Sequence, residues 1–440
     1  MANKKKPELL VPASSLEVLK TAVMFGADAV YIGGEAFGLR AKAKNFSMDE
    51  MAEGIAFAHK YNVKVYVTAN ILAHNEDLEG ARAYFEELRD MKPEPCDALI
   101  ISDPGMYTIA REVWPDAEIH ISTQANNTNY ATYLFWRRLG AKRVVSAREL
   151  SLQEIRTIRE HIPPEMEIEC FVHGAMCISY SGRCLLSNFL TGRDANQGSC
   201  THPCRWKYAV VEETRPGEYM PVFENERGTY LFNSKDLCMI EHIPELVKAG
   251  IDSFKIEGRM KTALYVATVA RTYRKAIDDY FAGEELYRQN MEWYKAEIAK
   301  CTHRRYTTGF YFCEPTAGHG KTTDEMQIYD DSTYINEYTY LGTVEDVKNA
   351  RELGFAKHDE GFLVRIEQRN KFAVGDIIEL MKPDGTNMPV VAEAMYSREG
   401  EPMESCPHAR QTLWLSLSGQ KGGETVTAER YDLLRKPVFF

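Results

Sequence analysis

The sequence predicts an α/β chain: a TIM-type (β/α)8-like barrel with a cysteine-bearing insertion, followed by a small C-terminal antiparallel β-barrel. Three observations predict it. Short β-branched runs alternate with amphipathic helical stretches through the first 170 residues. The runs are apolar without a polar face, as parallel strands buried on both sides are. From about residue 335 the texture changes to short alternating segments separated by turns such as "KPDGTN", the pattern of a small closed antiparallel sheet.

The strands follow in order. "ELLVPA" (8–13), "DAVYIGG" (28–34), "VKVYVTAN" (63–70), "DALIISD" (97–103), "EIHIST" (118–123), "RVVSA" (143–147) and "EIECFVHG" (167–174) are the first seven. Helical stretches such as "SLEVLKTAVMFGA" and "MDEMAEGIAFAHKY" separate them. A long βα series of this kind closes into a barrel. "GIDSFKIEGR" (250–259) supplies the eighth strand, after the helix expected in "DLCMIEHIPELVKA". "GTYLFNSKD" (228–236) is then surplus, and reads as the return arm of a hairpin with "YAVVEE" inside an insertion after strand seven. The boundaries expected are 1–280 for the barrel with its insertion at about 175–235, 281–334 for a helical and irregular connector, and 335–440 for the β-rich tail.

Composition narrows the function. The 440 residues are 44% hydrophobic and 27% charged, an ordinary globular balance. No apolar run reaches the ~20 residues that span a bilayer. The start, "MANKKKPELLVPAS", lacks the apolar core of a secretory signal, so the expectation is a cytoplasmic protein with no membrane partner. A net charge of −11 means that nucleic-acid binding needs a local basic patch.

In such barrels chemistry gathers at the C-terminal ends of the strands. Asn70, Asp103, Gln124, His173 and Glu257 all sit there, beside the polar cluster "HISTQANNTN". Residues 255–275 hold six basic residues against one acid, Glu257, which reads as a solvated charged face or a set of phosphate contacts. "CTHRRYTTGFYF" (301–312) pairs basic residues with aromatics, a pattern that also occurs where RNA is bound.

The cysteines are the most specific signal. Ten occur, and four of them, Cys177, Cys184, Cys200 and Cys204, are spaced C-x6-C-x15-C-x3-C, with Cys170 upstream and Cys238 downstream. In a reducing cytosol disulfides are disfavoured, and buried apolar thiols are the plain alternative, which suits Cys96. Tetrahedral thiolate sites suit zinc or an iron–sulfur cluster. Only Cys200 and Cys204 resemble a zinc knuckle. Gly174, Gly182 and Gly198 would let backbone pass close to a bulky group.

The stretch from Glu169 to Ser187, which ends in "HGAMCISYSGRCLLS", resembles the signature of the U32 family, long labelled peptidases or collagenases. "GRDANQGSCTHPCRW", "FNSKDLCMIEHIPEL" and "SFKIEGRMKTALYVATVARTYRKAIDDY" are similar to its tRNA-hydroxylating branch, through most of the chain. The resemblance implies hydroxylation of the wobble uridine of tRNA to 5-hydroxyuridine, with prephenate as co-substrate. It implies a 4Fe–4S cluster held by Cys177, Cys184, Cys200 and Cys238, with Cys204 a competitor for the fourth place. Hydroxylation at a pyrimidine C5 is redox work for which no ordinary side chain provides an electron path.

His173, Glu257 and Arg183 are the candidate catalytic residues. His173 is placed as a general acid–base or as a donor to a cluster ligand. Glu257 and Lys255 would alternatively pair with each other or with a neighbour. Arg183, Arg205 and Arg259 are candidate forks for the two carboxylates of prephenate. Trp206, Tyr208 and the 301–312 stretch are candidate contacts to an anticodon loop. The β-rich tail would clamp the tRNA or serve an oligomer contact, with a second copy or a paralogue. Two other classes stay open: a U32-type peptidase, in which His173 serves Cys177 or Cys170, and a noncatalytic RNA-binding protein with structural zinc. No H-E-x-x-H helix or G-x-S-x-G elbow occurs in the chain.

Overall fold

The computed structural model describes residues 5–38, 45–177, 179–206, 234–313, 334–354, 361–419 and 426–438, with the pairs 210–211, 219–220, 224–225 and 228–229. Eight parallel strands close into a barrel: β1 (Glu8–Pro12), β2 (Ala29–Gly33), β3 (Lys64–Ala69), β4 (Ala98–Ile101), β5 (Ile119–Ile121), β6 (Arg143–Val145), β7 (Glu167–Ala175) and the closing strand Ser253–Ile256, which pairs with both β1 and β7. The helices α1 (Leu16–Met24), α2 (Met48–Lys60), α3 (Asn75–Arg89), α4 (Pro104–Val113), α5 (Tyr130–Arg138) and α6 (Leu152–His161) alternate with these strands.

Local sequence starts each helix. Ser15, Ser47, Asp103, Asn129 and Ser151 accept from backbone N–H groups of the first turn, and Glu50 and Glu154 complete capping boxes. Asp103, expected among the site residues, is spent in this way: its Oδ1 accepts from Gly105 and Met106.

After β7 the chain forms α7 (Leu186–Thr191) and two small hairpins, β8 (Val210–Val211) with β9 (Tyr219–Met220) and β10 (Glu224–Asn225) with β11 (Gly228–Thr229). Each arm expected to make one long hairpin thus pairs with a nearer segment, because a short loop closes at lower entropic cost. β12 (Asp236–Cys238) then runs antiparallel to the end of β7, where a helix start was expected. The reason is tertiary. Asp236 accepts from Arg304 Nε at 3.0 Å and Nη2 at 2.8 Å, both side chains are buried, and the pair locks β12 beside β14 (Tyr306–Thr307).

The chain continues through α8 (Ile243–Lys248), the closing strand β13 (Ser253–Ile256), α9 (Ala263–Ala282), α10 (Glu284–Gln289) and α11 (Met291–Ala299). The basic run 255–275 is neither a solvated face nor an open phosphate site. Lys255, Arg259 and Arg271 are buried, and Arg274 and Lys275 pair with Asp28 and Asp279. The 301–312 stretch is likewise largely structural: Arg304 is committed to Asp236, and the buried Tyr311 donates to the Phe171 carbonyl at 2.6 Å. Arg305 and Phe312 remain exposed.

The tail is a closed six-stranded antiparallel barrel of β15 (Tyr338–Asn349), β16 (Phe362–Glu367), β17 (Ile377–Met381), β18 (Asn387–Ser397), β20 (Thr412–Gly419) and β21 (Leu433–Pro437), with the short β19 (Pro402–Met403) on β18. It has its own apolar core around Leu341, Ile366, Leu380 and Leu415. A buried charge cluster ties it to the first barrel. Glu297 of α11 accepts from Arg271 of α9 at 2.6 Å and pairs also with Arg435 of β21, while Arg271 donates to the Lys382 carbonyl at 2.6 Å. Burial alone would raise the Glu297 pKa, but Arg435 and Arg271 outweigh it and hold the carboxyl at about 2.

Two outcomes follow. Glu297→Ala leaves two buried guanidinium groups without their shared partner and should cost about 3–5 kcal/mol in urea unfolding. The depressed pKa also fixes a sign. The contribution of Glu297 is fully present above about pH 4.5 and is lost as the pH falls toward 2. The wild type should therefore lose stability across that window more steeply than Glu297→Gln, as acid titration of the urea midpoint would show.

Candidate active site

A cavity of about 180 Å³ opens at the C-terminal ends of the barrel strands. Its floor is made by Tyr31, Thr68, Arg148, Lys255, Glu257 and Arg259, and its wall by the segment after β7.

The floor is an ordered set of charges. Lys255 of β13 donates to the fully buried Glu169 of the neighbouring β7 at 2.6 Å. Glu169 also accepts from Arg143 at 3.1 Å. Burial acts to raise the Glu169 pKa, but Lys255 and Arg143 prevail and keep the carboxylate charged. Below it Arg143 binds Glu8 and Glu167, so a polar layer lies beneath the cavity. Glu257 accepts from Arg148 Nη2 at 3.0 Å, and Arg148 also donates to the Ala175 carbonyl and lies over the Phe171 ring. Burial works against the charged form of Arg148. The negative charge of Glu257 outweighs it, and the guanidinium pKa is raised. Arg259 donates to Thr68 Oγ1 at 2.7 Å and packs on the bare Cα of Gly33, where a Cβ would collide with its guanidinium. Lys255 and Glu257 thus pair with neighbours, not with each other.

The wall carries thiols. Cys177, Cys184, Cys200 and Cys204 all line the cavity. Their segment is pinned to the barrel loops. Asn126 Nδ2 donates to the Ser181 carbonyl at 2.7 Å, Asn196 Nδ2 donates to the Cys184 carbonyl at 3.1 Å, and Gln197 donates to the Leu72 carbonyl. Gly182, at φ +73°, lies so close to Gln124 that a Cβ would stand 2.7 Å from its Oε1. His202 adopts a left-handed backbone, φ 57°, and its N–H donates to Cys200 Sγ at 3.4 Å. An amide aimed at a sulfur is a donor that stabilises a bound thiolate, and non-glycine residues in this region of backbone space concentrate at functional sites. Four soft donors on one wall fit a thiolate-held group. Among the described residues, no three His, Cys, Asp or Glu side chains already stand in metal-holding geometry.

The remaining expected residues lie elsewhere. Cys238 is not on the cavity wall. It sits in β12 opposite His173, its Sγ 3.9 Å from Tyr273 Oη, and burial pushes its thiol pKa up to about 11. His173 is buried among Tyr265, Tyr273 and Tyr306, with burial lowering its pKa to about 3. Cys170 donates to Ser146 Oγ at 3.3 Å, and burial pushes its thiol up to about 12. A thiolate–imidazolium pair requires the opposite protonation of both groups. Arg183 is exposed and does not line the cavity, whereas Asn70 and Gln124 do. Trp206 is exposed. Tyr208 and the Arg205 side chain lie outside the described residues.

Sequence reasoning missed Arg148, Tyr31 and Thr68. Arg148 was within reach, since it follows β6 directly at the productive end of the barrel.

Comparison with known proteins adds a second line. Residues 14–321 match the model of peptidase family U32, and residues 336–435 that of its C-terminal domain. The chain is 41% identical to tRNA hydroxylation protein P1 of Bacillus subtilis over 94% of this chain and 92% of that protein. It is 40% identical to tRNA hydroxylation protein P of Escherichia coli over 94% of each. It is 38% identical to the 23S rRNA 5-hydroxycytidine C2501 synthase of E. coli, over 62% of this chain and 39% of that one.

The packing of Gly182 on Gln124 gives a direct check. Gly182→Ala adds a clash to the cost of a positive φ. Gly192→Ala, at φ +67° with open space around it, carries the φ cost alone. The first should destabilise the fold by about 1–3 kcal/mol more than the second, read by urea unfolding.

Proposed function

The chain belongs to peptidase family U32, and we propose that it hydroxylates the wobble uridine of tRNA at C5, giving 5-hydroxyuridine, with prephenate as co-substrate and a 4Fe–4S cluster as cofactor. One observation carries this reading: four cysteines and three cationic side chains face a single cavity at the productive end of the barrel, in a chain that aligns nearly end to end with RNA-hydroxylating relatives.

Cys177, Cys184 and Cys200 would hold the cluster. Cys204 is the fourth thiol on the same wall; Cys238 would have to leave its pairing with β7 to join them. When bound, such a cluster supplies electron-transfer chemistry that side chains lack.

The chain's own residues do the rest. Arg148 and Arg259 present guanidinium groups at the floor, suited to the carboxylates of prephenate. Glu257, beside Arg148, is the carboxylate positioned to take or return a proton at the floor. Lys255 is neutralised by Glu169 and fixes the floor's shape. The barrel and the pinned cysteine segment limit water, which strengthens each of these interactions. A target base has to leave its stack to enter so narrow a cavity. His173 of β7 has a positioning part: it is wedged between β12, the tyrosines of α9 and Tyr306 of β14.

Two measurements test this. Anaerobically purified protein should contain iron and sulfide, and Cys184→Ala should lose both. Zinc in the wild type, or undiminished iron in the variant, counts against the ligand set. Deleting the gene in a host without a paralogue should remove 5-hydroxyuridine-derived nucleosides from bulk tRNA, as read by mass spectrometry. Normal levels would refute the assignment.

A further inference from the structure

We infer that the outer face of the cysteine segment is a stacking platform for the unstacked bases of an RNA loop, built from Tyr180, Phe189 and Trp206 with Leu185 alongside. The inference rests on the proposal that the substrate is RNA, and it assigns the surface that presents it.

The exposures are unusual. Phe189 is 85% exposed, Leu185 71%, Tyr180 48% and Trp206 43%. Leu185 and Phe189 lie four residues apart, so they share one side of α7 and its first turn. Large apolar side chains left in water along one segment mark a surface that something covers. The backbone beneath it is held by Asn126, Asn196 and Gln197, and Ser187 on the inner side of α7 is buried against Thr201. The platform is therefore presented on a braced support.

Charge and continuity select the occupant. In sequence, residues 177–206 carry three arginines against a single acid, Asp194, in a chain whose net charge is −11, and of these Arg183 is exposed. A polyanion is attracted to this patch and repelled by most of the remaining surface. A second copy docked through a two-fold axis would set Arg183 against its own image. The apolar members include three aromatic rings, and aromatic rings with interleaved arginines are how proteins hold single-stranded nucleic acid without reading its sequence. Tyr180 also lines the cavity. A base stacked on it stands at the entrance, and its neighbours along the strand reach Phe189 and Trp206.

The test uses the full-length protein, a synthetic anticodon stem–loop with uridine at the wobble position, and a blunt RNA duplex of the same length. Phe189→Leu keeps apolar surface but removes the stacking ring; Phe189→Trp keeps the ring. The Phe189→Leu variant should bind the stem–loop roughly tenfold more weakly by fluorescence anisotropy. Phe189→Trp should bind like wild type. Duplex affinity, thermal midpoint and iron content should not move in either. Unchanged stem–loop affinity in Phe189→Leu, with wild-type binding intact, overturns the platform alone. Loss of self-association in that variant, seen by sedimentation, would instead make the face a contact between copies and overturn it too. Wild-type protein that binds neither RNA overturns the reading on which the platform rests.

Discussion

One buried carboxylate organises this molecule. Glu169 has no exposure, and it is held between Lys255 at 2.6 Å and Arg143 at 3.1 Å. Lys255 belongs to the last barrel strand and Glu169 to the seventh, so their bond ties the closing strand to its neighbour. The same bond sets the height of Lys255 in the lumen, and thereby the depth of the cavity above it. A barrel interior filled only by Val, Leu and Ile would close as well, but it would have no charged floor. Here the apolar layer of Leu10, Ala29, Tyr66, Ala98 and Ile100 coexists with ionic pairs whose desolvation is offset only because every member is bonded.

Above that floor, rigidity is supplied by loops. The cysteine segment has one short helix and little other regular structure, yet the Asn126 and Gln197 amides fasten it to the barrel loops, and Asn196 bonds to Cys184 within it. Loops that carry function on a stiff scaffold are the usual division of labour. Here it explains how thiols from a wide sequence span arrive on one wall while the backbone between them stays irregular. The left-handed His202 is part of the same arrangement, because only that turn aims its N–H at Cys200.

The sequence made the βα rhythm plain, since strands buried on both faces leave long apolar runs and helices announce themselves with caps. The eighth strand could be found by the same pattern in "SFKI". β12 could not. Three residues are too few for a period, and what makes Asp236–Cys238 extended is an ion pair to Arg304, 68 residues away. The cysteine ladder was legible as a set. Which thiols share a wall was not, because spacing says nothing of the side of β7 on which Cys238 falls. Arg148 went unnoticed although its position just past β6 follows the rule that singled out Asn70 and Gln124. The expected solvated charged face over 255–275 failed for a different reason: a run of positive residues reads alike whether its partners are solvent or buried acids.

The sharing of Glu297 between Arg271 and Arg435 has a consequence for how the chain can be divided. Each barrel has its own apolar interior, and by that measure each could stand alone. Yet cutting the polypeptide between them would leave Arg435 with Glu379 but without Glu297, and would take from Arg271 the Lys382 and Thr386 carbonyls and Asn387 Oδ1, so each buried guanidinium would lose part of its bonding. Evolution can shuffle such a tail on and off a catalytic barrel only by also changing the residues at this junction. A shortened homologue of this chain would be recognisable by an aliphatic or small polar side chain at the place of Arg271.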